Sequence, residues 1–161
     1  MRPNVQIRTA LPDDAEAIAE VLLAAFTPFE SFYTPEAFTA TILDSEKIRK
    51  RFAEKGVIWT ASSDGKLVGT VSVVDEETRL YIRSMAVVPA AQDLGVGRNL
   101  LRTIEKFAVE NGFAKLFLYT VPFLEGAIRL YEKNGFEHLG GGDPAEFFGT
   151  AWLSMEKKVE R

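Results

Sequence analysis

The sequence predicts one α/β domain built on a mixed sheet. Three observations carry that expectation. The apolar period is helical up to about Lys55 and becomes that of strands from Val57. The run Lys115–Val121 is apolar on both faces, the mark of a buried parallel strand, and a helical segment stands on either side of it. The chain has 161 residues, a length that suits a single domain over 1–161 and buries a core without staples.

Val5–Ala10 is the first strand. Pro12-Asp13-Asp14 then opens a helix, with Pro in the first turn and acids near the positive end of the dipole. Its apolar face is Ala15, Ile18, Ala19, Leu22, Ala25 and Phe26, and Thr27-Pro28 stops it. Phe29–Tyr33 is an aromatic loop. Thr34-Pro35 is an N-cap followed by Pro at the first helical position, and helical character runs on to Lys55-Gly56 with a break near Asp44-Ser45. Val57–Ser62 and Leu67–Val74 form a hairpin across Asp64-Gly65, with Gly69 marking a bulge or a close approach. The acidic turn Asp75–Thr78 leads into the central strand Leu80–Val88, stopped by Pro89.

The loop Gln92–Gly97 follows, and then a helix with Leu100, Leu101, Ile104, Phe107 and Ala108 on one face, ended by Asn111-Gly112. The next strand, Lys115–Val121, ends at Pro122, and its crossover from the central strand is right-handed. A helix over about 124–133 aligns Leu124, Ala127, Ile128 and Tyr131, and Asn134-Gly135-Phe136 caps it. Glu137–Leu139 begins a strand, Gly140–Pro144 is a flexible loop, and Phe147–Lys158 is the last strand.

Apolar residues make up 47% and charged residues 26%, the balance of a globular protein. No apolar run approaches the roughly 20 residues of a membrane helix. Met1-Arg2-Pro3-Asn4 opens no signal peptide, since no apolar stretch follows. Cys is absent, which removes disulfides, a thiolate nucleophile and Cys-ligated metal, and suits the cytoplasm. The net charge of −4 argues against nucleic acid as the main partner. The one histidine, His138, reads as structural, and no spacing suggests a metal site.

The chemistry begins at the loop. Gly95 and Gly97 remove Cβ atoms where a ligand would approach the backbone, and N–H groups around Leu94–Arg98 lie at a helix N-terminus, where the dipole adds to the attraction for an anion. A tight turn explains the glycine pair equally well. The loop lacks the Lys-Ser/Thr of a Walker A motif and the third Gly of the dinucleotide fingerprint. Arg98 adds charge to a phosphate contact or is solvated.

Val87-Val88-Pro89 followed by Gln92-x-x-Gly95-x-Gly97 and a helix strongly resembles the acetyl-CoA motif of the GNAT N-acetyltransferase superfamily. Ala127-Ile128-Arg129-Leu130-Tyr131-Glu132-Lys133-Asn134-Gly135-Phe136 is similar to that superfamily's second signature, one helix and one strand further on. The resemblance implies the GNAT fold: a central, mixed, mostly antiparallel sheet with a splayed parallel pair of strands, flanked by about four helices. It implies an acyltransferase that moves an acetyl group from acetyl-CoA, its co-substrate, to a primary amine by direct attack through a tetrahedral intermediate, with no metal.

The resemblance also assigns residues. Backbone groups of Met85, Ala86 and Val87 bind the pantetheine arm and polarise the thioester. Gln92, Asp93, Leu94, Gly95, Val96, Gly97 and Arg98 hold the pyrophosphate, and Thr120 offers a hydroxyl where many relatives have Asn. Tyr131 is the general acid for the leaving thiolate, although its spacing from Ala127 also fits a core tyrosine. Tyr81 stands where many relatives place a carboxylate, so the base is open among Glu30, Glu76 and water ordered by Tyr81 and Ser84. Phe29, Phe32 and Tyr33 line an acceptor pocket or pack onto the sheet. Lys47–Lys55 reads as a solvated basic helix face. Glu30, Asp75, Glu76 and Glu77 point to a cationic small molecule rather than a protein as acceptor. Dimers are common in the superfamily. A non-catalytic acyl-CoA sensor or regulatory module is the alternative.

Overall fold

The computed structural model describes residues 4–160. Met1–Pro3, part of the N-terminal stretch read above, lie outside the described residues. Among those described, seven strands form one sheet: β1 (Val5–Thr9), β2 (Gly56–Ser63), β3 (Lys66–Glu76), β4 (Arg79–Val87), β5 (Lys115–Thr120), β6 (Glu137–Gly141) and β7 (Leu153–Lys158). Their order is β1-β2-β3-β4-β5-β7-β6. The β4–β5 pair is parallel and the other pairs are antiparallel. The helices are α1 (Ala15–Phe26), α2 (Pro35–Thr41), α3 (Ser45–Arg51), α4 (Val96–Glu110) and α5 (Glu125–Lys133). The expected mixed, mostly antiparallel sheet with one parallel pair is therefore present.

Local chemistry explains the helix boundaries. Asp14 accepts from the Leu11 N–H at 2.7 Å and takes both ends of the Arg8 guanidinium at 2.8 and 2.9 Å, tying the entry of α1 to β1. The break expected near Asp44-Ser45 is real. Ile42 turns extended after α2, and Asp44 Oδ1 accepts from the Lys47 N–H at 2.8 Å to start α3. The stretch Pro89–Leu94 winds as a 3-10 turn rather than running straight from the strand. The last strand is shorter than expected. Pro144–Phe147 forms a 3-10 turn and Phe148 sits at φ +51°, so regular pairing begins only at Leu153.

Each face of the sheet carries a core. On one, Leu100, Leu101 and Ile104 of α4 pack with Val71, Val73, Leu80, Ile82 and Leu116. On the other, Ile18, Val21, Leu22, Phe38 and Ile48 of α1 to α3 pack with Ile58 and Ala86. Strand β4 changes phase between these faces. Leu80 and Ile82 belong to the α4 side, as do Met85 and Val87 after them, while Ala86 belongs to the opposite core. The register with β3 slips there: Ser72 faces Arg83 and Thr70 faces Ala86. Ser84 takes the extra position at φ +55°. A left-handed conformation in a residue with a Cβ is strained and belongs to a bulge that re-aims the strand.

Strands β4 and β5 then part. Their register runs from Arg79–Lys115 to Ile82–Leu118, and the described pairing stops although both strands continue. Beyond Ile82, the edge of β4 that faces β5 is open. No helix among the described residues is long and apolar enough to cross a membrane.

Candidate functional site

A cleft of about 940 Å³ occupies the gap between the parted strands. Residues 81–87 of β4 line it, as do Thr120 and Val121 at the end of β5 and Tyr131 of α5. Gln92, Asp93, Gly95, Gly97 and Arg98 line its far end, at the start of α4.

That helix start is built to be bare. Gly95 is its N-cap residue, at φ +73°, and no side chain caps the first turn. The N–H groups of a first turn have no partner within the helix, so here they are left for a ligand or water. Gln92 donates from Nε2 to the Val87 carbonyl at 3.3 Å, fastening the turn to the end of β4. The two glycines have different physical reasons. A Cβ at Gly95 would meet nothing within 4 Å, and its backbone conformation is what favours glycine. A Cβ at Gly97 would lie 2.7 Å from Leu130 Cδ2, so Gly97 lets α5 approach α4. Val96 is fully buried and Leu94 packs against the same core, so only their backbones are available to a ligand.

Tyr131 is a core residue that also reaches the cleft. It is 6% exposed and packs on Phe136 with ring centroids 5.6 Å apart, yet it lines the cleft. Burial raises its pKa well above that of an ordinary phenol, so it holds its proton. Burial also raises Tyr81, against the opposing pull of Arg83, which keeps it a phenol rather than a base. Thr120 is half-buried on the cleft wall.

The acids expected to act as base or to attract a cation lie elsewhere. Glu30 is exposed on the 3-10 turn Thr27–Phe32 and is not part of the cleft lining. Glu76 is held by Arg79 at 2.7 Å and Asp75 by Lys55 at 3.1 Å, at the opposite end of β4. Of the aromatic loop, Phe29 and Tyr33 reach the cleft, whereas Phe32 stacks on Phe123 at 5.4 Å and is 61% exposed. His138 is exposed, with Nε2 3.0 Å from a Glu132 carboxylate oxygen.

The structure adds residues that sequence reasoning missed. Arg51, Arg83, Glu146 and Trp152 line the cleft. Arg51 donates from Nη1 to Ser84 Oγ at 2.8 Å and lies 3.4 Å from Ser72 Oγ. Burial and the neighbouring Arg83 pull its pKa down to about 10, while Glu54 and Tyr81 oppose them. Arg83 pairs with Glu54, and its Nε is buried without a partner. A signal for Arg51 exists: it lies three residues after Ile48, the buried residue of α3, and so shares its face. Trp152 is positioned by its Nε1, which donates to the Asp143 carbonyl at 3.0 Å, and by an edge contact with Tyr119 at 5.3 Å. The glycine run makes room for it, since a Cβ at Gly142 would lie 1.9 Å from the indole.

The acetyltransferase (GNAT) family matches residues 16–136. The probable N-acetyltransferase camello of Xenopus tropicalis is 33% identical over 99 residues, covering 60% of this chain and 45% of the relative. N-acetyltransferase family 8 member 3 of Rattus norvegicus is 30% identical over 145 residues, covering 81% of this chain and 61% of the relative. The chain thus spans about half the length of these two curated relatives. Among solved structures, the PaiA N-acetyltransferase of Thermoplasma acidophilum in complex with coenzyme A superposes with a TM-score of 0.80 at 22% identity, over 96% of this chain and 99% of that one. That likeness is one of fold.

Proposed function

The chain belongs to the acetyltransferase (GNAT) family, and from that premise we propose that it transfers an acetyl group from acetyl-CoA to a primary amine. One observation carries the reading. The parted β4–β5 pair, with the bulge at Ser84 and an uncapped helix start at its far end, offers an extended ligand a strand edge to lie along and an anion site to end on. The pantetheine arm would add to β4 at Met85–Val87 as a short strand does, through backbone hydrogen bonds. The pyrophosphate would take the N–H groups of Leu94–Arg98. Gln92 fixes the turn, and Arg98 adds charge at its rim.

The amine nitrogen attacks the thioester carbon. A C–N bond forms, a β4 N–H stabilises the oxyanion, and the C–S bond breaks as the intermediate collapses. Tyr131 gives its proton to the departing sulfur. In water a phenol is a weaker acid than a thiol, and burial raises Tyr131 further, so it gives up its proton only as the C–S bond breaks and negative charge builds on the sulfur. The proton released by the amine restores the phenol by way of the group that accepts it. Among the described residues, Asp93 and Glu146 are the carboxylates on the cleft lining. Asp93 belongs to the phosphate turn, which leaves Glu146 or water, rather than Glu30, to receive the amine's proton.

Calorimetry with CoA tests the donor site, and release of free thiol in the presence of an amine library tests transfer. Tyr131→Phe is expected to lower kcat by about 100-fold while leaving CoA affinity in place. An unchanged kcat would remove the acid role. Tight CoA binding without thiol release from any amine would favour the sensor reading instead.

A further inference from the structure

The cleft has a second cationic station, on β4 at residues 81–84, whereas the phosphate turn follows the far end of that strand at Val87. Resting on the acetyltransferase reading, we propose that Arg51 and Arg83 bind a carboxylate of the acceptor, so that the substrates are amines that also carry an acid group.

Three observations support this. First, the guanidiniums exceed their counter-charges. Arg83 is matched by Glu54, but Arg51 meets only the hydroxyls of Ser84 and Ser72 on Nη1, with no carboxylate in ion-pair range among the described residues. The remaining nitrogens of its fork are available to a planar oxyanion, the geometry at which arginine excels. Second, the group is held half-buried at the cleft wall, where an unmatched cation is costly and an incoming anion correspondingly favourable. The depressed pKa of Arg51 is the same cost seen from the proton's side. Arg83 adds a buried Nε donor without a partner. Third, the charged side chains that line the cleft at residues 81–84 of β4 and on α3 are both basic, Arg83 and Arg51. An amine without an anion would meet repulsion at this wall. The expectation of a cationic acceptor rested on acids that the fold turns away from the cleft or pairs with Lys55 and Arg79.

The position is also productive. Arg51 is anchored to Ser84, the bulge residue, and Met85 is the next residue along β4, where the thioester would lie. A carboxylate fixed on the fork would place a neighbouring amine beside the acetyl group. Arg51 is in this sense a specificity-determining residue.

The test compares L-amino acids with the matching amino acid amides as acceptors. The amide's amine is the less basic and more often neutral, so the comparison is weighted against the proposal. The acids are expected to show a kcat/KM about tenfold or more above the amides, as one charged hydrogen-bonding donor pair would give. Arg51→Gln should erase that preference by raising KM for the acid, with KM for acetyl-CoA and affinity for CoA unchanged. Arg51→Lys, which keeps the charge and loses the fork, should fall between; it also serves if the Gln variant melts early. Amides acetylated as well as acids, or a preference that survives in both variants, would overturn the proposal. If CoA binds but no amine is acetylated, the transfer reading fails and binding alone decides. N-acetyl-amino acids should then bind the CoA-loaded protein more tightly than their amides, with the difference lost in Arg51→Gln. Equal affinities in the unmodified protein would remove the anion site.

Discussion

Tyr131 shows how a packing role and a proposed chemical role can share one side chain. Its spacing from Ala127 marks a core position and its motif marks the proposed proton donor, and a phenol that is 6% exposed on a cleft wall is compatible with both. Its raised pKa has a kinetic consequence. The acid form persists past the ordinary tyrosine range near pH 10, so kcat should show no alkaline loss from this group up to about pH 10. A pH–rate profile falling with a midpoint near 8 to 9, and shifting in Tyr131→Phe, would contradict that. Arg51 was illegible for a different reason. In a basic run a single cation looks like its neighbours, and only the phase of Ile48 separates the one that turns inward. Glu146 and Trp152 were hidden because the stretch that positions them reads as a flexible loop and an uninterrupted strand, whereas a Pro-initiated turn and a glycine gap for the indole fold it over the cleft.

At the scale of elements, most boundaries were legible because they are set by local groups. Thr34 and Asp44 cap α2 and α3, and the hairpin turn and the Gly135 cap follow their usual residues. The bulge in β4 was not legible, because residues 80–82 and 85–88 are all apolar or aromatic and read as one strand. Only the packing separates them: residues 80, 82, 85 and 87 join the α4-side core, a three-residue step where a regular strand takes two, while Ala86 joins the opposite core. What no local rule supplies is the contact between elements. Gly97 looks like a ligand-approach glycine until Leu130 of α5 is found against it. Gly97→Val should push α5, and Tyr131 with it, away from α4. The expected cost is about 1–3 kcal/mol of stability, the usual range for overpacking, with a larger relative loss in kcat. Urea melts and steady-state kinetics on one preparation check this, and a variant with unchanged kcat would show that the Leu130 side chain simply moves aside.

For the whole molecule, the fold class followed from the order of elements and the spacing of two motifs, both properties of the entire chain. The proposed acceptor class did not, because the cleft-lining groups it rests on come from α3, β4 and the β6–β7 connection, far apart in sequence. Global stability should depend on pH in a way set by buried phenols. Burial lifts Tyr33 to about 12, and Tyr81 and Tyr131 are raised as well. A raised folded-state pKa means that the contribution is complete below the unfolded value near 10 and is lost as pH climbs from there through 12. Asp14 acts at the opposite limit. The Arg8 guanidinium lowers its pKa, so its contribution holds above the ordinary carboxylate range and is lost as pH falls through it. Denaturant midpoints measured from pH 3 to 12 should show a plateau through neutrality and a decline at both ends. Stability still rising above pH 10 would refute the alkaline half.

The open edge of β4 past Ile82 makes the free protein a sheet with a missing rung. Residues 86 and 87 stay paired with β3 on the other edge, but amide protons that point to the open edge have no strand partner and should exchange with deuterium faster than those of Leu80 and Ile82 a few residues upstream. Filling the gap with CoA would slow exchange from Met85 to Val87 and raise the melting temperature together, since a ligand at 100 times its Kd adds about 2.7 kcal/mol. The donor would then be a temporary strand of the protein it serves, present during turnover and gone after product release.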